Sequence, residues 1–144
     1  MKNVVFYSPD LRTFKNPERE FLYSCFVENF ENYWFGHIYN SEAEIRYICD
    51  DFKSELIIGA DEDFGIYLHY YSMTTKQDMI SLFDYSKLDE VIYGSGRELY
   101  ASKGCFLPKD IAWDAISDFI ENGRISEKIR WISPDDIPED GNYF

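Results

Sequence analysis

Two apolar runs joined by a short polar segment constrain the fold of this chain more than any other feature. Residues 56–60 and 65–71 are separated only by Asp61-Glu62-Asp63-Phe64. Such a connection can close an antiparallel hairpin, whereas parallel strands need a crossover of about a dozen residues or more. The sequence therefore predicts an antiparallel hairpin with a polar turn.

Other short apolar or aromatic stretches predict further strands of the same kind of sheet, because the connections between them are also short. The predicted strands are residues 4–7, 79–85 and 91–93, a stretch near Tyr100, and residues 129–132. In the last of them, alternation places Trp131 with Ile129 on one face. We expect Trp131 to anchor the core.

Two segments in the first half of the chain carry the signals of helix starts. Asn16-Pro17-Glu18 offers an N-cap residue, followed by proline and a carboxylate at the first helical positions. Ser41 and Glu44 match a capping box, and apolar residues follow at helical spacing as far as residue 52. Both segments are therefore predicted to be helices. Between them, we expect Trp34 to be an exposed aromatic residue.

A third helix is predicted near the C-terminus. Pro108 suits its first turn, and apolar residues from Ile111 to Ile120 lie on one face. Asn122-Gly123 is typical of the left-handed residue that ends a helix. The chain is thus predicted to be α+β, an antiparallel sheet with two or three packed helices. We expect a single domain over residues 1–132 and an acidic tail over residues 133–144.

Targeting and metal-binding signals are absent from the sequence. The N-terminus has one basic residue, Lys2, and lacks the apolar run of a signal peptide. Cys25, Cys49 and Cys105 show neither a CxxC pair nor zinc-type spacing with histidine. We therefore expect a reduced, cytoplasmic protein with no membrane segment, no metal and no cofactor.

The chain is strongly acidic. Its 144 residues hold 27 Asp and Glu against 14 Lys and Arg, which gives a net charge of −13. A field of this sign repels phosphate backbones, so direct nucleic-acid binding is not expected. With 45% hydrophobic residues, the chain is too apolar to be an acidic disordered tail. The excess is concentrated in residues 41–63, with eight acidic and two basic residues, and in residues 133–144, with four acidic and none basic.

Two motifs with possible ligand chemistry have simpler interpretations. Asp61-Glu62-Asp63 with Gly65 departs from a calcium loop, because glycine comes one position early and no helix follows, which favours a solvated hairpin turn. Gly94 and Gly96 lack the third glycine and the Lys-Ser/Thr pair of a phosphate loop. A flexible or bulged connection between strands is the favoured interpretation there.

His37 and His69 are the two histidines of the chain. Catalysis would need a nucleophile or a carboxylate beside one of them, and the sequence shows none. His69 alternates with Tyr67 and Tyr71, so the three share one face of a strand, which we expect to be half exposed. The favoured prediction is that no residue is catalytic. A small enzyme that uses His37 or His69 with a carboxylate stays open as an alternative.

A helix that ends in glycine, followed by a short strand bearing tryptophan, is a further pattern, here at Phe119, Gly123 and Trp131. Together with the hairpin and the helix predicted from Ser41, this arrangement over residues 41–132 resembles the Imm1 family of bacterial polymorphic-toxin immunity proteins. The resemblance implies that the protein neutralises a cognate toxin domain, commonly a nucleic-acid-directed one such as a deaminase or nuclease. It also implies that Gly123 and Trp131 support the fold.

The charge and the resemblance lead to one favoured function, a non-catalytic toxin inhibitor. A toxin that acts on nucleic acid needs a basic groove, which an acidic protein can occupy without catalysis. An unrelated acidic protein-interaction domain would carry the same surface and remains an alternative. The residues predicted to face the partner are Glu42, Asp50, Asp51, Glu55, Asp61, Glu62, Asp63, His69 and Tyr71.

Overall fold

An antiparallel sheet forms the centre of the protein in the computed structural model, which describes residues 1–35, 42–93 and 100–138. The strands within these ranges are β1 (Lys2–Tyr7), β2 (Thr13–Lys15), β3 (Glu42–Cys49), β4 (Phe52–Asp61), β5 (Gly65–Ser72), β6 (Asp78–Leu82), β7 (Val91–Tyr93), β8 (Tyr100–Ser102), β9 (Phe106–Leu107) and β10 (Arg130–Ile132). Eight of them join the sheet in the order β10-β6-β5-β4-β3-β1-β2, with β9 also paired to β5, while β7 and β8 form a separate ribbon.

The predicted hairpin is confirmed as β4 and β5, which pair from Ser54 opposite Ser72 to Asp61 opposite Gly65. Asp61 closes the turn, because its Oδ1 accepts the backbone N–H groups of Asp63 and Phe64 at 2.9 and 3.1 Å. Gly65 has a φ of 99°, and a Cβ there would lie 2.1 Å from the carbonyl oxygen of Leu107. The turn therefore requires glycine at this position.

Helices cover one face of the sheet. They are α1 (Arg19–Tyr23), a π-helical turn (Ser24–Glu28), α2 (Phe30–Phe35) and α3 (Lys109–Asn122). The α+β prediction, an antiparallel sheet with packed helices in a single domain, is confirmed. No helix in the described part of the chain has the length and apolar character needed to cross a membrane.

The helix predicted after Pro108 is confirmed as α3, and its C-cap residue, Gly123, has a left-handed φ of 72°. A Cβ at Gly123 would lie 2.2 Å from the ring of Tyr47, so both the backbone and the packing require glycine. The first helix begins at Arg19, two residues beyond Pro17. Asn16 does not cap it; the Oδ1 of Asn16 instead accepts the N–H of Val4 at 2.8 Å.

The helix predicted from Ser41 is wrong, because residues Glu42–Cys49 form β3. Ser41 itself lies outside the described residues. The buried side chains of β3 are Ala43, Ile45 and Tyr47, which follow the two-residue period of a strand. β3 pairs along its length with β4 and over six residues with β1, and this pairing overrides the local helix signals.

The main core lies between the sheet and the helices. Leu22, Phe26, Ile45, Leu56 and Phe119 are at its centre, each no more than 1% exposed. Trp34, expected to be exposed, is also fully buried, because α2 turns it against Phe26 at a ring distance of 5.9 Å. Trp131, expected in the core, is half-buried at its margin and donates a hydrogen bond from its indole N–H to the carbonyl of Ser126 at 2.8 Å.

A second core lies on the other face of the sheet. There, Ile92 of β7 and Ala101 of β8 pack with Tyr67, Ile80 and Ile132 of the sheet. From the segment predicted to be an acidic tail, Ile137 joins this core, and residues 139–144 lie outside the described ranges. The ribbon and its connections therefore cover the sheet over β5, β6 and β10.

Candidate binding face

The second face of the sheet can be read as rows of side chains that run across the strands. One row contains Thr13, Tyr7, Glu44, Ile57, His69, Ile80 and Ile132, in order from β2 to β10. The next row contains Lys15, Val5, Arg46, Glu55, Tyr71 and Asp78. Each row starts on the part of the sheet that the ribbon leaves uncovered and ends on or beside the covered part.

We define the open face as the uncovered part of this surface, on β1, β3, β4 and the end of β5. Its apolar and aromatic side chains are half-buried, and none is a member of either core among the described residues. The open face consists of Val5, Tyr7, Glu44, Arg46, Ile48, Glu55, Ile57 and Tyr71. A sheet face that is turned to water usually carries polar side chains, so this composition is unusual for a free surface.

A charged group lies at the centre of the open face. The Nε of Arg46 is 2.7 Å from Oε2 of Glu44 and 4.0 Å from Oε2 of Glu55. The guanidinium also lies 5.0 Å from the ring centroid of Tyr7. Burial raises the pKa of Glu55, and the charge of Glu44 and a hydrogen bond with it add to this rise, while Arg46 opposes it. The open face thus combines aliphatic and aromatic area with two carboxyl groups around one cation.

A cleft of about 440 Å³ extends the open face at the β1–β2 turn. Its walls include Tyr7, Leu11, Arg12, Glu42 and Ile57. Leu11 is 72% exposed and has a φ of 63°, so the turn projects an apolar side chain into solvent beside the cleft. The cleft gives the open face a concave end.

The predicted partner-facing residues do not form one surface. Glu42, Glu55 and Tyr71 lie on or beside the open face. Asp50 and Asp51 lie in the β3–β4 turn, beyond Cys49, which is roughly 23 Å from Glu42 at about 3.3 Å per strand residue. There, the carboxylate of Asp50 pairs with the N-terminal amino group at 2.9 Å.

The three acidic residues of the β4–β5 turn also have different roles. Glu62 and Asp63 are exposed, as expected for a solvated turn, but Asp61 is only 7% exposed. Both hydrogen bonds of its Oδ1 are used to hold the turn. Asp61 is therefore a structural residue of the hairpin rather than a free charge.

His69 lies at the boundary between the open face and the covered part. It is 7% exposed and Tyr67 is fully buried, so the expectation of a half-exposed face holds for Tyr71 but not for His69 or Tyr67. Its Nε2 is 2.5 Å from Oδ1 of Asp78, a partner that the sequence does not reveal because β5 and β6 had first to be paired. His37 lies outside the described residues.

Two free thiols in the described part of the chain are buried within the cores. Cys25 and Cys105 are buried free thiols, and burial raises the pKa of Cys25 to about 11 and that of Cys105 to about 12. Both are therefore protonated near neutral pH. Among the described residues, no group of three or more His, Cys, Asp and Glu side chains is placed to hold a metal ion.

Sequence reasoning missed Tyr7, Glu44, Arg46 and Ile57 as members of the site. The signal that could have found the two charged residues is the alternation of Glu44, Arg46 and Ile48 against Ala43, Ile45 and Tyr47. Comparison with known proteins finds no matching family model, no matching curated protein and no matching solved structure. The geometry of the open face is therefore the main basis for a functional proposal.

Proposed function

We propose that this protein is a non-catalytic inhibitor that binds a cognate toxin domain through the open face. The observation that carries the proposal is the apolar character of that face, where Val5, Tyr7, Ile48 and Ile57 stand outward and half-exposed. Protein interfaces combine such aliphatic and aromatic side chains with arginine at their centre and polar groups at their rim. Arg46 and the carboxyl groups around it fit this pattern.

The charge of the chain favours a basic partner. The net charge of −13 attracts a positively charged surface at a distance and accelerates the first encounter. At short range, that surface would meet the carboxyl groups of Glu42, Glu44 and Glu55. Arg46 would donate hydrogen bonds to an acceptor on the partner. A deaminase or nuclease domain, as implied by the resemblance to Imm1 proteins, has such a basic groove where it holds nucleic acid.

Inhibition in this proposal requires only that the protein occupies the nucleic-acid-binding groove of the toxin. The open face and its cleft would cover the basic groove of the toxin, so that nucleic acid is excluded while this chain performs no chemical step. The apolar residues would supply most of the binding free energy, and the carboxyl groups would supply orientation and speed of association.

One observation favours a second candidate, an enzyme that uses His69 with Asp78. The 2.5 Å contact between them is typical of a carboxylate that orients an imidazole. However, His69 is only 7% exposed, which leaves little of the ring for a substrate. The variant His69→Asn distinguishes the two functions. If the protein acts as an enzyme, the variant should still bind the toxin but no longer suppress toxin activity. If it acts as an inhibitor, toxin activity should be suppressed to the extent that the variant binds the toxin.

The test is co-expression with the toxin domain encoded by the adjacent gene, followed by titration calorimetry and an assay of the toxin. We expect a stable complex in which toxin activity is lost. Tyr7→Ser and Ile57→Ser are each expected to weaken binding by about ten-fold or more, equivalent to about 1.4 kcal/mol.

Tyr85→Ser is the matched control, because Tyr85 is 66% exposed and lies outside the open face. It should leave the affinity unchanged, and thermal melts should show that all three variants are folded. Failure to bind the toxin domain, or equal losses in the control and the open-face variants, would overturn the proposal.

A further inference from the structure

The helical side of the protein is more acidic than either of the two sequence segments that form it. Residues 18–31 and 109–122 together hold eight acidic and two basic residues, a net charge of −6. The two segments are far apart in sequence, but Trp113 of α3 packs on Tyr23 and Phe26, which brings them together. The acidic residues are Glu18, Glu20, Glu28, Glu31, Asp110, Asp114, Asp118 and Glu121.

A groove of about 410 Å³ runs between these segments, and we call it the aromatic groove. It is lined by Arg19, Glu20, Tyr23, Glu28 and Trp113. Tyr23 is 38% exposed, Trp113 is half-buried, and their rings meet at 5.4 Å and 73° in an edge-to-face contact. Two aromatic walls therefore meet at an angle within an acidic surface.

The cation in this groove is already neutralised. The Nη1 of Arg19 lies 3.2 Å from Oε1 of Glu121, and its Nη2 donates to the hydroxyl of Ser117. Glu20 and Glu28, by contrast, form no ion pair with any residue in the ranges 1–35, 42–93 and 100–138. The groove thus presents two uncompensated carboxylates beside two aromatic rings.

We propose that the aromatic groove binds one lysine or arginine side chain of a protein partner. The methylene groups of such a side chain pack on Tyr23 and Trp113, and the cation gains from the negative faces of the rings. Its charged head reaches the carboxylates of Glu20 and Glu28. An apolar side chain would cover these carboxylates without pairing them, and an acidic side chain would be repelled.

This contact goes beyond the toxin-binding proposal and does not depend on it. Tyr23 and Trp113 belong to the helical layer, whereas the open face lies on the opposite side of the sheet. A partner could therefore occupy the aromatic groove while the open face is covered by another protein, and either site can fail in an experiment without the other.

Trp113 supplies a direct probe of the groove. In the full chain labelled with ¹⁵N, the indole N–H signal of Trp113 is assigned with Trp113→Phe, and the indoles of Trp34 and Trp131 serve as internal references. The ligand is the peptide acetyl-Gly-Gly-Arg-Gly-Gly-amide, and the neutral control has citrulline in place of arginine. We expect a saturable shift of the Trp113 signal with the arginine peptide only.

The carboxylates are tested with Glu20→Gln/Glu28→Gln, which should weaken the arginine peptide by about ten-fold. The matched control is Asp135→Asn/Asp136→Asn, which removes two exposed carboxylates at Pro134–Asp136 and changes the net charge equally. This control should leave the affinity within about two-fold, because long-range attraction is screened at physiological salt. An unsaturable shift, an equal response to the citrulline peptide, or equal weakening in both double variants would overturn the proposal.

Discussion

The covered and uncovered parts of the second sheet face follow one alternation but differ in what lies above them. Ile57 and Ile80 stand on either side of His69 in the same row. Ile80 is fully buried beneath the β7–β8 ribbon, whereas Ile57 remains half-exposed. The period of a strand determines which side chains point to this face. Whether they become core depends on a segment that comes from elsewhere in the chain or from another protein.

The two parts also differ in charge. The covered part is closed by apolar residues such as Tyr67 and Ile132, whose side chains need no ionic partners. The open face has Arg46 between Glu44 and Glu55 among its apolar residues. Such a mixture keeps a surface hydrated in the free protein and still offers apolar area to a partner, and this combination supports the binding role that we propose.

The largest expected effect is a difference in stability between alanine variants of two isoleucines in the same row. Ile80→Ala should lower the free energy of unfolding by about 2–5 kcal/mol, because it opens a cavity in the second core. Ile57→Ala should lower it by about 1 kcal/mol or less, because a half-exposed side chain is already partly solvated. Urea denaturation monitored by circular dichroism gives both values. Equal losses would show that the open face is covered in the free protein.

The reactivity of the cysteine thiols tests whether the β7–β8 ribbon stays packed on the sheet. Cys105 lies in the second core with a pKa raised by burial to about 12, whereas Cys49 is half-buried at the end of β3. At pH 8, we expect a disulfide reagent to modify Cys49 at least about 100-fold faster than Cys105, because only the thiolate attacks. Single-cysteine variants measured with and without urea give the two rates. Similar rates in the native protein would mean that the cover opens readily.

Local signals predicted those elements whose structure depends on nearby residues. The hairpin required only Asp61 and Gly65 at its turn, and α3 required only Pro108 and Gly123 at its ends. β3 was mispredicted because its apolar residues fit both periods. The choice between them was made by pairing with β1, which lies some 40 residues earlier in the chain.

The candidate site was predicted only in part, for the same reason. Glu55 could be named because it belongs to the acidic segment 41–63, and Tyr71 because it lies on the predicted hairpin. Tyr7 and Arg46 join them only after β1 has paired with β3. The acidic surface beside the aromatic groove was missed because each of its two segments alone carries a net charge of only −3.

The smallest expected effect concerns Glu55, a carboxyl group of the open face with a raised pKa. Burial and the neighbouring Glu44 raise its pKa in the folded protein, so the folded state holds this proton more tightly than the unfolded state. The resulting stabilisation is present below the unfolded pKa of about 4.3 and is lost as the pH rises through the folded value. Glu55→Gln removes this dependence. The variant should therefore gain stability relative to the wild type between about pH 4 and pH 7, by less than about 1 kcal/mol because the site is partly hydrated.

Urea denaturation at both pH values measures the difference, with Glu62→Gln as the control for loss of one carboxylate from an exposed turn. If the wild type instead gains stability relative to Glu55→Gln as the pH rises, then Arg46 affects the pKa of Glu55 more strongly than burial and Glu44 do.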